Sequence, residues 1–342
     1  MAGLVSVIIP SYNGAHVLRR CLEALSRQEA ARPFEVIVVD DGSTDGTRAV
    51  CAASPGVRYL WQPNRGPAAA RNHGVREARG EMVLFTDADC EPEPDWLAQM
   101  LAPFEEAGVV GVKGAYRSRQ RELIARLVQL EYEDKYRRMS RFRYIDFIDT
   151  YAAAYRRDVF LRHGGFDERY RTASVEDQEF SFRLAGGGHK MVFNPRAIVW
   201  HLHVAGLGAY LRKKYKIGFW KSFLLRRHPG RVKGDTHTPV SLKLQVLLAP
   251  AVVAGALGGL LHPVLWWVAG AGLAASLTTC APFVLFAWPR DKAVALASPL
   301  VFLGRSLALA WGLLDGLLRP PAIPETESAE GHTAGPASSP RP

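Results

Sequence analysis

The chain has 342 residues, 43 Lys and Arg against 33 Asp and Glu, and 48% hydrophobic residues, which suffices for one large domain and a further region. This composition excludes a mainly disordered or collagenous protein. Four cysteines (Cys21, Cys51, Cys90, Cys280) without CxxC spacing exclude a disulfide framework or a zinc ribbon, so a reducing compartment is the default.

Met1 runs directly into an apolar stretch with no basic n-region, and no signal peptide is expected. Residues 5–10 are a continuous β-branched run, 16–28 have helical spacing, and 35–39 are a second apolar run ending in Asp40-Asp41-Gly42-Ser43. A helix over 44–53, a strand over 57–61, a helix over 67–79 and a strand over 81–86 follow, the last ending in Asp87-Ala88-Asp89. Continuous apolar strands are buried on both faces, so the pattern predicts an α/β domain with a mostly parallel central sheet and flanking helices. Ligands of such sheets bind beyond the carboxyl ends of the strands, where both acidic clusters fall.

Asp87 and Asp89 place two carboxylates close together at an exposed lip. Like charges that close are costly unless a cation lies between them, and a hard divalent ion held by one or two carboxylates plus phosphate oxygens is the usual solution. A solvated turn is the plain alternative for a lone DxD, as a helix cap is for residues 40–45. Glu176-Asp177 reads either as an acidic helix start, favoured by the macrodipole, or as a paired base. His201 and His203 alternate on an apparent strand over 197–204, which puts both on one face, either as part of a metal or phosphate site or as surface or interfacial histidines.

Between Val204 and Gly234 there are nine basic residues, no acid and several aromatics, the mixture expected of a helix at an anionic bilayer surface. Residues 244–289 then run 46 positions without Asp, Glu, Lys or Arg, enough for two crossings of a roughly 30 Å core, with the turn at Leu261-His262-Pro263. The Gly270-Ala271-Gly272 dinucleotide-like signature inside this run reads as helix packing. Residues 293–318 form a third apolar stretch interrupted by Arg305 and Asp315, which either spans or lies at the interface. The expected organisation is a catalytic domain over 1–203, a basic interfacial segment over 204–238, a membrane region over 239–319 and a disordered tail over 320–342. The positive-inside rule puts the catalytic domain in the cytoplasm, at the cell (inner) membrane. Because the basic stretch adjoins the spans, nucleic-acid binding ranks lowest.

The motifs Val5-Ser6-Val7-Ile8-Ile9-Pro10-Ser11-Tyr12-Asn13, Val38-Val39-Asp40-Asp41-Gly42-Ser43, Ala70-Arg71-Asn72, Thr86-Asp87-Ala88-Asp89, Gly164-Gly165-Phe166-Asp167, Glu176-Asp177 and Trp200-His201 occur in this order. Jointly they resemble the inverting nucleotide-sugar glycosyltransferases of family 2, which have the Rossmann-like GT-A fold, over roughly residues 4–203. The resemblance implies that Pro10 and Tyr12 flank the nucleotide, Asp41 meets the base and Arg71 helps hold the nucleotide. It further implies that Asp89 ligates Mg²⁺ or Mn²⁺, that Asp87 reaches the ribose or the metal through water, and that His201 contacts the metal or diphosphate. Asp177, beside Glu176, would be the general base. The Gln-x-x-Arg-Trp motif of the polymerising members is absent after Asp177, so transfer of one sugar from a nucleotide-sugar donor to a lipid-linked or glycan acceptor is expected. Arg117, Arg119 and Arg121, with the amphipathic residues 123–143, either border an acceptor phosphate or form a solvated basic face. A sugar nucleotidyltransferase and a catalytically silent membrane scaffold are the alternatives.

Overall fold

The structure, a computed structural model, describes residues 3–170, 172, 175–232 and 234–319. The tail over 320–342 and Lys233 of the basic stretch lie outside the described residues.

The first half alternates strands and helices: β1 (Val5–Ser11), α1 (Ala15–Ser26), β2 (Phe34–Asp40), α2 (Thr47–Ala52), β3 (Val57–Trp61), α3 (Pro67–Glu77) and β4 (Met82–Thr86). Next come β5 (Cys90–Pro92), α4 (Trp96–Leu101), β6 (Val109–Arg117), α5 (Leu123–Met139), β7 (Ala152–Arg156), α6 (Arg157–Arg162), α7 (Glu176–Gly186) and β8 (Lys190–His201). One eight-stranded sheet, in the order β3-β2-β1-β4-β7-β6-β8-β5, carries them all. β3, β2, β1 and β4 are mutually parallel, as the apolar runs require. The second half mixes directions: β7 is antiparallel to β4 and β6, β6 is parallel to β8, and β5 is antiparallel to β8.

The sheet's two faces bury separate clusters. Val5, Val7 and Ile9 of β1 pack with α1 on one side, and Ile8 packs with Ala70 and Val75 of α3 on the other. Burying each such side chain contributes roughly 1.5–3 kcal/mol. Gly74 lets α3 lie close to β1, because a Cβ there would strike Ile8.

Beyond the sheet lie α8 (Leu207–Arg227), α9 (Val240–Gly259), α10 (Leu265–Ala287) and α11 (Lys292–Leu318). Three of these, α9, α10 and α11, are long and apolar enough to cross a membrane, with mean hydropathy of 1.8, 1.6 and 1.7. α9 and α10 form a hairpin about Leu261-His262-Pro263, and Gly255, Gly258 and Gly259 give α10 room against α9. α11 takes a different path. It starts on an Asp291 cap, whose side chain accepts from the Val294 amide at 3.0 Å, and its second half runs beside α8. There a Cβ at Gly218, Gly312 or Gly316 would strike the backbone of the facing helix.

The polar residues that interrupt α11 are matched. Arg305 pairs with Glu131 of α5 and donates to Gln245 of α9. Glu131 also accepts from Tyr210 at 3.0 Å and Lys214 at 3.3 Å, both on α8. Asp315 accepts from the Tyr215 hydroxyl of α8. An arginine that would be costly among lipid tails is instead neutralised by a carboxylate from the sheet domain.

Candidate functional site

The carboxyl ends of β1, β2 and β4 lie side by side, and hydrogen bonds tie their loops together. Asn13, in the left-handed region at φ 50, donates its backbone N–H to Ser43 Oγ at 2.9 Å and accepts from the Thr44 amide through Oδ1 at 2.9 Å. Pro10 lies in β1 and Tyr12 just past it, 56% exposed at the lip. Asp41 has an internal role that the sequence reading did not include. Its Oδ1 accepts from Gln62 at 2.7 Å and the Arg65 amide at 2.9 Å, and its Oδ2 accepts from the Gly66 amide at 2.8 Å. It therefore shapes the loop that starts α3. Buried Ser11 Oγ and Thr86 Oγ1, at the ends of β1 and β4, have no partner within the described residues.

Arg71, buried on α3, joins distant parts of the chain. It donates to Asp87 Oδ1 at 2.8 Å and to Glu176 Oε1 at 3.1 Å, although Glu176 lies 105 positions away. Its charge is thus shared by two carboxylates from within the fold. Asp177, next along α7, has no ion pair of its own among the described residues. Desolvation raises its carboxyl well above the usual range, and the charges of Glu176 and Asp149 raise it further.

Asp149 is one of the residues that sequence reasoning missed. It pairs with Lys113, a fully buried lysine in the apolar strand β6, and with Lys135 of α5 at 2.9 Å. Burial alone would raise Asp149, but the two ammonium groups hold it well below the ordinary carboxylate range. A lysine within the run Val109–Arg117 was the available signal, since a charge in a buried strand requires a partner.

Asp89 faces His201, Oδ2 to Nε2, at 3.2 Å. Burial would raise Asp89, but the hydrogen bond and charge of His201 lower it. His203 sits past the end of β8, yet on the same side, with Nδ1 at 3.1 Å from Nδ1 of His201 and Nε2 at 3.0 Å from Gln129 Oε1. Burial pulls His203 down to about 3, so its ring is neutral. An amide oxygen accepts, which puts the His203 proton on Nε2 and its lone pair on Nδ1; the proton between the rings is then carried by His201 Nδ1. His201 Nε2 therefore faces a carboxylate oxygen, an arrangement that needs a proton or a cation at Nε2. Among the described residues no three His, Cys, Asp or Glu side chains converge into a ready-made metal cage.

A cavity of about 650 Å³ collects these parts. Arg71, Asp87, Glu176 and Asp177 line it at the sheet, and side chains of α5, α8, α9, α10 and α11, of residues 147–151 and of the loop bearing His237 line much of the remainder. Asp89 and His201 adjoin it through His203, which is part of its wall. Arg117, Arg119 and Arg121 do not line it, and Arg119 stacks over Trp200 instead. Besides Arg71, the basic residues that do line it include Lys135 and Arg138 of α5, Lys214 and Lys221 of α8, Lys243 of α9 and Arg305 of α11.

The profile of Glycosyl transferase family 2 matches residues 6–164. Validoxylamine A glucosyltransferase of Streptomyces hygroscopicus is 32% identical over 222 residues, 55% of this chain and 53% of that one. The pre-mycofactocin glycosyltransferase of Mycobacterium tuberculosis is 28% identical over 270 residues, 76% of this chain and 56% of that one. The chain thus spans about half the length of these relatives. Among solved structures, the mannosyltransferase PcManGT from Pyrobaculum calidifontis, in complex with GDP-Man and Mn²⁺, superposes with a TM-score of 0.59 at 21% identity, covering 93% of this chain and 88% of that one. This likeness gives the sheet domain the GT-A fold. The profile match spans the ends of β1, β2 and β4 and the arginine between them, so residues 6–164 of the sheet domain are similar to glycosyl transferase family 2.

Proposed function

We propose that the protein transfers a single sugar from a nucleotide-diphosphate sugar to a hydroxyl of a lipid-linked acceptor, with inversion, at the cytoplasmic face of the cell membrane. The cavity carries this reading, because one continuous space joins the carboxylates at the strand ends to the wall of membrane helices. Asp177, an acid there with no ion pair among the described residues, takes the proton of the acceptor hydroxyl. The hydroxyl oxygen bonds to the anomeric carbon while the bond to the diphosphate breaks, and that electron pair leaves on the diphosphate oxygen. Attack opposite the leaving group inverts the centre. Arg71 holds Asp87 and Glu176 in place and is a positioning residue in this scheme. Pro10, Tyr12 and Asp41 border the nucleotide at the ends of β1 and β2.

The donor set fits a divalent cation. Asp89 and His201 would hold Mg²⁺ or Mn²⁺, since the proton arrangement at His203 leaves the His201 nitrogen and the Asp89 oxygen facing one another, and Asp87 stands two residues along. When bound, such an ion offsets negative charge developing on a departing diphosphate.

In the membrane placement that fits this site, α9 and α10 cross and α11 lies along the surface. Arg305 is about 20 Å along α11 from Lys292 at 1.5 Å per residue, yet its guanidinium meets Gln245, about 8 Å from the start of α9. From Gly304 onward α11 accompanies the basic helix α8, which cannot enter hydrocarbon. Two crossings return the end of α11 to the catalytic side. An impermeant maleimide should therefore label Arg319→Cys from that side, the native cysteines being buried; labelling only from the opposite side would make α11 a third span.

Purified full-length protein with Mn²⁺ should release nucleoside diphosphate from one of the UDP-, GDP- or dTDP-sugars and lose this in Asp89→Ala, and the product should have the inverted anomer. Pyrophosphate release from a nucleoside triphosphate would indicate a nucleotidyltransferase, and inertness toward every donor would indicate a scaffold.

A further inference from the structure

Most charges around the cavity are committed to partners. Arg71 serves Asp87 and Glu176, Lys135 serves Asp149, and Lys214 and Arg305 share Glu131. Of the wall's lysines with no ion pair among the described residues, Lys213 and Lys216 are exposed and Lys221 is not. It lies half-buried on the α8 face that turns toward the cavity, and no carboxylate stands within ion-pair distance among the described residues. Burial pulls its ammonium below the ordinary lysine value, with only a more distant attraction from Asp235 opposing. Asp235 is itself engaged, at 3.1 Å from His237.

The surroundings of Lys221 give that charge a setting. Arg138 of α5, paired with Asp134, leaves a buried Nε without a partner and reaches the His237 carbonyl at 3.4 Å. The loop bearing His237 thus neighbours two cationic side chains, Arg138 by contact and Lys221 by its charge, and both line the cavity. His237, pulled by burial down to about 3 and therefore neutral, meets Gln178 Nε2 at 2.9 Å through Nε2. Gln178 is the residue after Asp177. On the far side the wall is apolar, with Leu247 of α9, Phe283 of α10 and Phe302, Leu309 and Leu313 of α11. Leu247 is 72% exposed, so this wall is open outward at the level of the membrane helices.

We propose that the acceptor is an anionic amphiphile: a phosphate ester seated between Lys221 and Arg138, with its hydrocarbon chain along α9 and α11 and a separate hydroxyl presented to Asp177. This deepens the reading above and rests on Asp177 as the base. The anion seat adjoins the base through Gln178 and His237 and does not coincide with it, so the phosphate anchors and another oxygen reacts. A phosphate placed directly against Asp177 would meet Asp87 and Glu176 as well, and like charges would repel it.

The test is thermal unfolding of the full chain in a neutral detergent, with dioctanoyl phosphatidylglycerol, dioctanoylglycerol or inorganic phosphate as separate probes. Phosphatidylglycerol should raise the midpoint, and the other two should raise it far less. The shift should vanish in Lys221→Gln, survive in Lys221→Arg, and survive in Arg212→Gln, which removes a charge from the same helix away from the cavity. An equal shift from dioctanoylglycerol or from inorganic phosphate, or a shift that persists in Lys221→Gln, would overturn the proposal. Stabilisation by a nucleoside diphosphate with Mn²⁺ is measured on the same samples. If that persists in the wild type while phosphatidylglycerol has no effect, the acceptor assignment falls and the donor reading stands; if nucleotide has no effect either, the underlying reading falls first.

Discussion

The two ends of the cavity are built by different rules. At the sheet end the carboxylates and His201 sit at or just past the end of a strand or at the start of a helix, within short motifs, and the backbone ladder of the sheet fixes where their backbone lies. At the membrane end the wall is assembled from α5, α8, α9, α10 and α11, and its polar contacts join residues far apart in the chain, such as Glu131 with Arg305. A strand-end carboxylate keeps its position whatever the neighbouring helices do. The Glu131 network exists only when four helices pack together. An enzyme with one donor chemistry and a variable acceptor would gain from that division, since the acceptor wall can change without disturbing the strand ends.

The contrast can be broken by mutation at either end. The largest effect belongs to Asp177→Asn, which should lower kcat/KM by about 10²–10⁴ while stabilisation by nucleotide and Mn²⁺ survives; near-normal transfer would remove Asp177 as the base. Arg71→Met removes the cation that Asp87 and buried Glu176 share, and should destabilise the sheet domain by about 3 kcal/mol in denaturant unfolding. A loss under about 1 kcal/mol would mean that the hub contributes little. At the other end, Gly312→Leu drives a side chain into the α8 backbone and should cost about 1–3 kcal/mol, with little change in nucleotide binding. If nucleotide binding fell in parallel, the two ends would be one cooperative unit.

The smallest effect sharpens the comparison through pH. A base with a raised carboxyl must lose its proton to act, so transfer should rise with pH through a limb lying well above the ordinary carboxylate range. Asp149→Asn removes a negative charge that raises Asp177 and leaves Lys113 and Lys135 uncompensated, so the acidic limb should move to lower pH. An unmoved limb would separate Asp149 from the base.

Much of the sheet domain was legible in advance because period-two and period-3.6 patterns and strand-end acids are local signals. Residues 57–61 match β3, and the strand expected over 81–86 begins one residue later as β4. The mixed direction of the second half was not legible: β7, with its run of small apolar residues, satisfies either direction, and pairing on both edges decides. Arg71 was expected at the nucleotide, but its partner Glu176 comes from a helix that no local pattern places near α3.

Sequence by itself determined the family motifs, the strand-end carboxylates, the basic stretch and the uncharged run that forms a hairpin, because each is a property of neighbouring residues. Only the tertiary structure decided the partners of the buried charges: Lys113 with Asp149, Arg305 with Glu131, and Lys221 with no ion pair among the described residues. Burial sets the cost of an unpaired charge, and burial depends on which distant elements close over it.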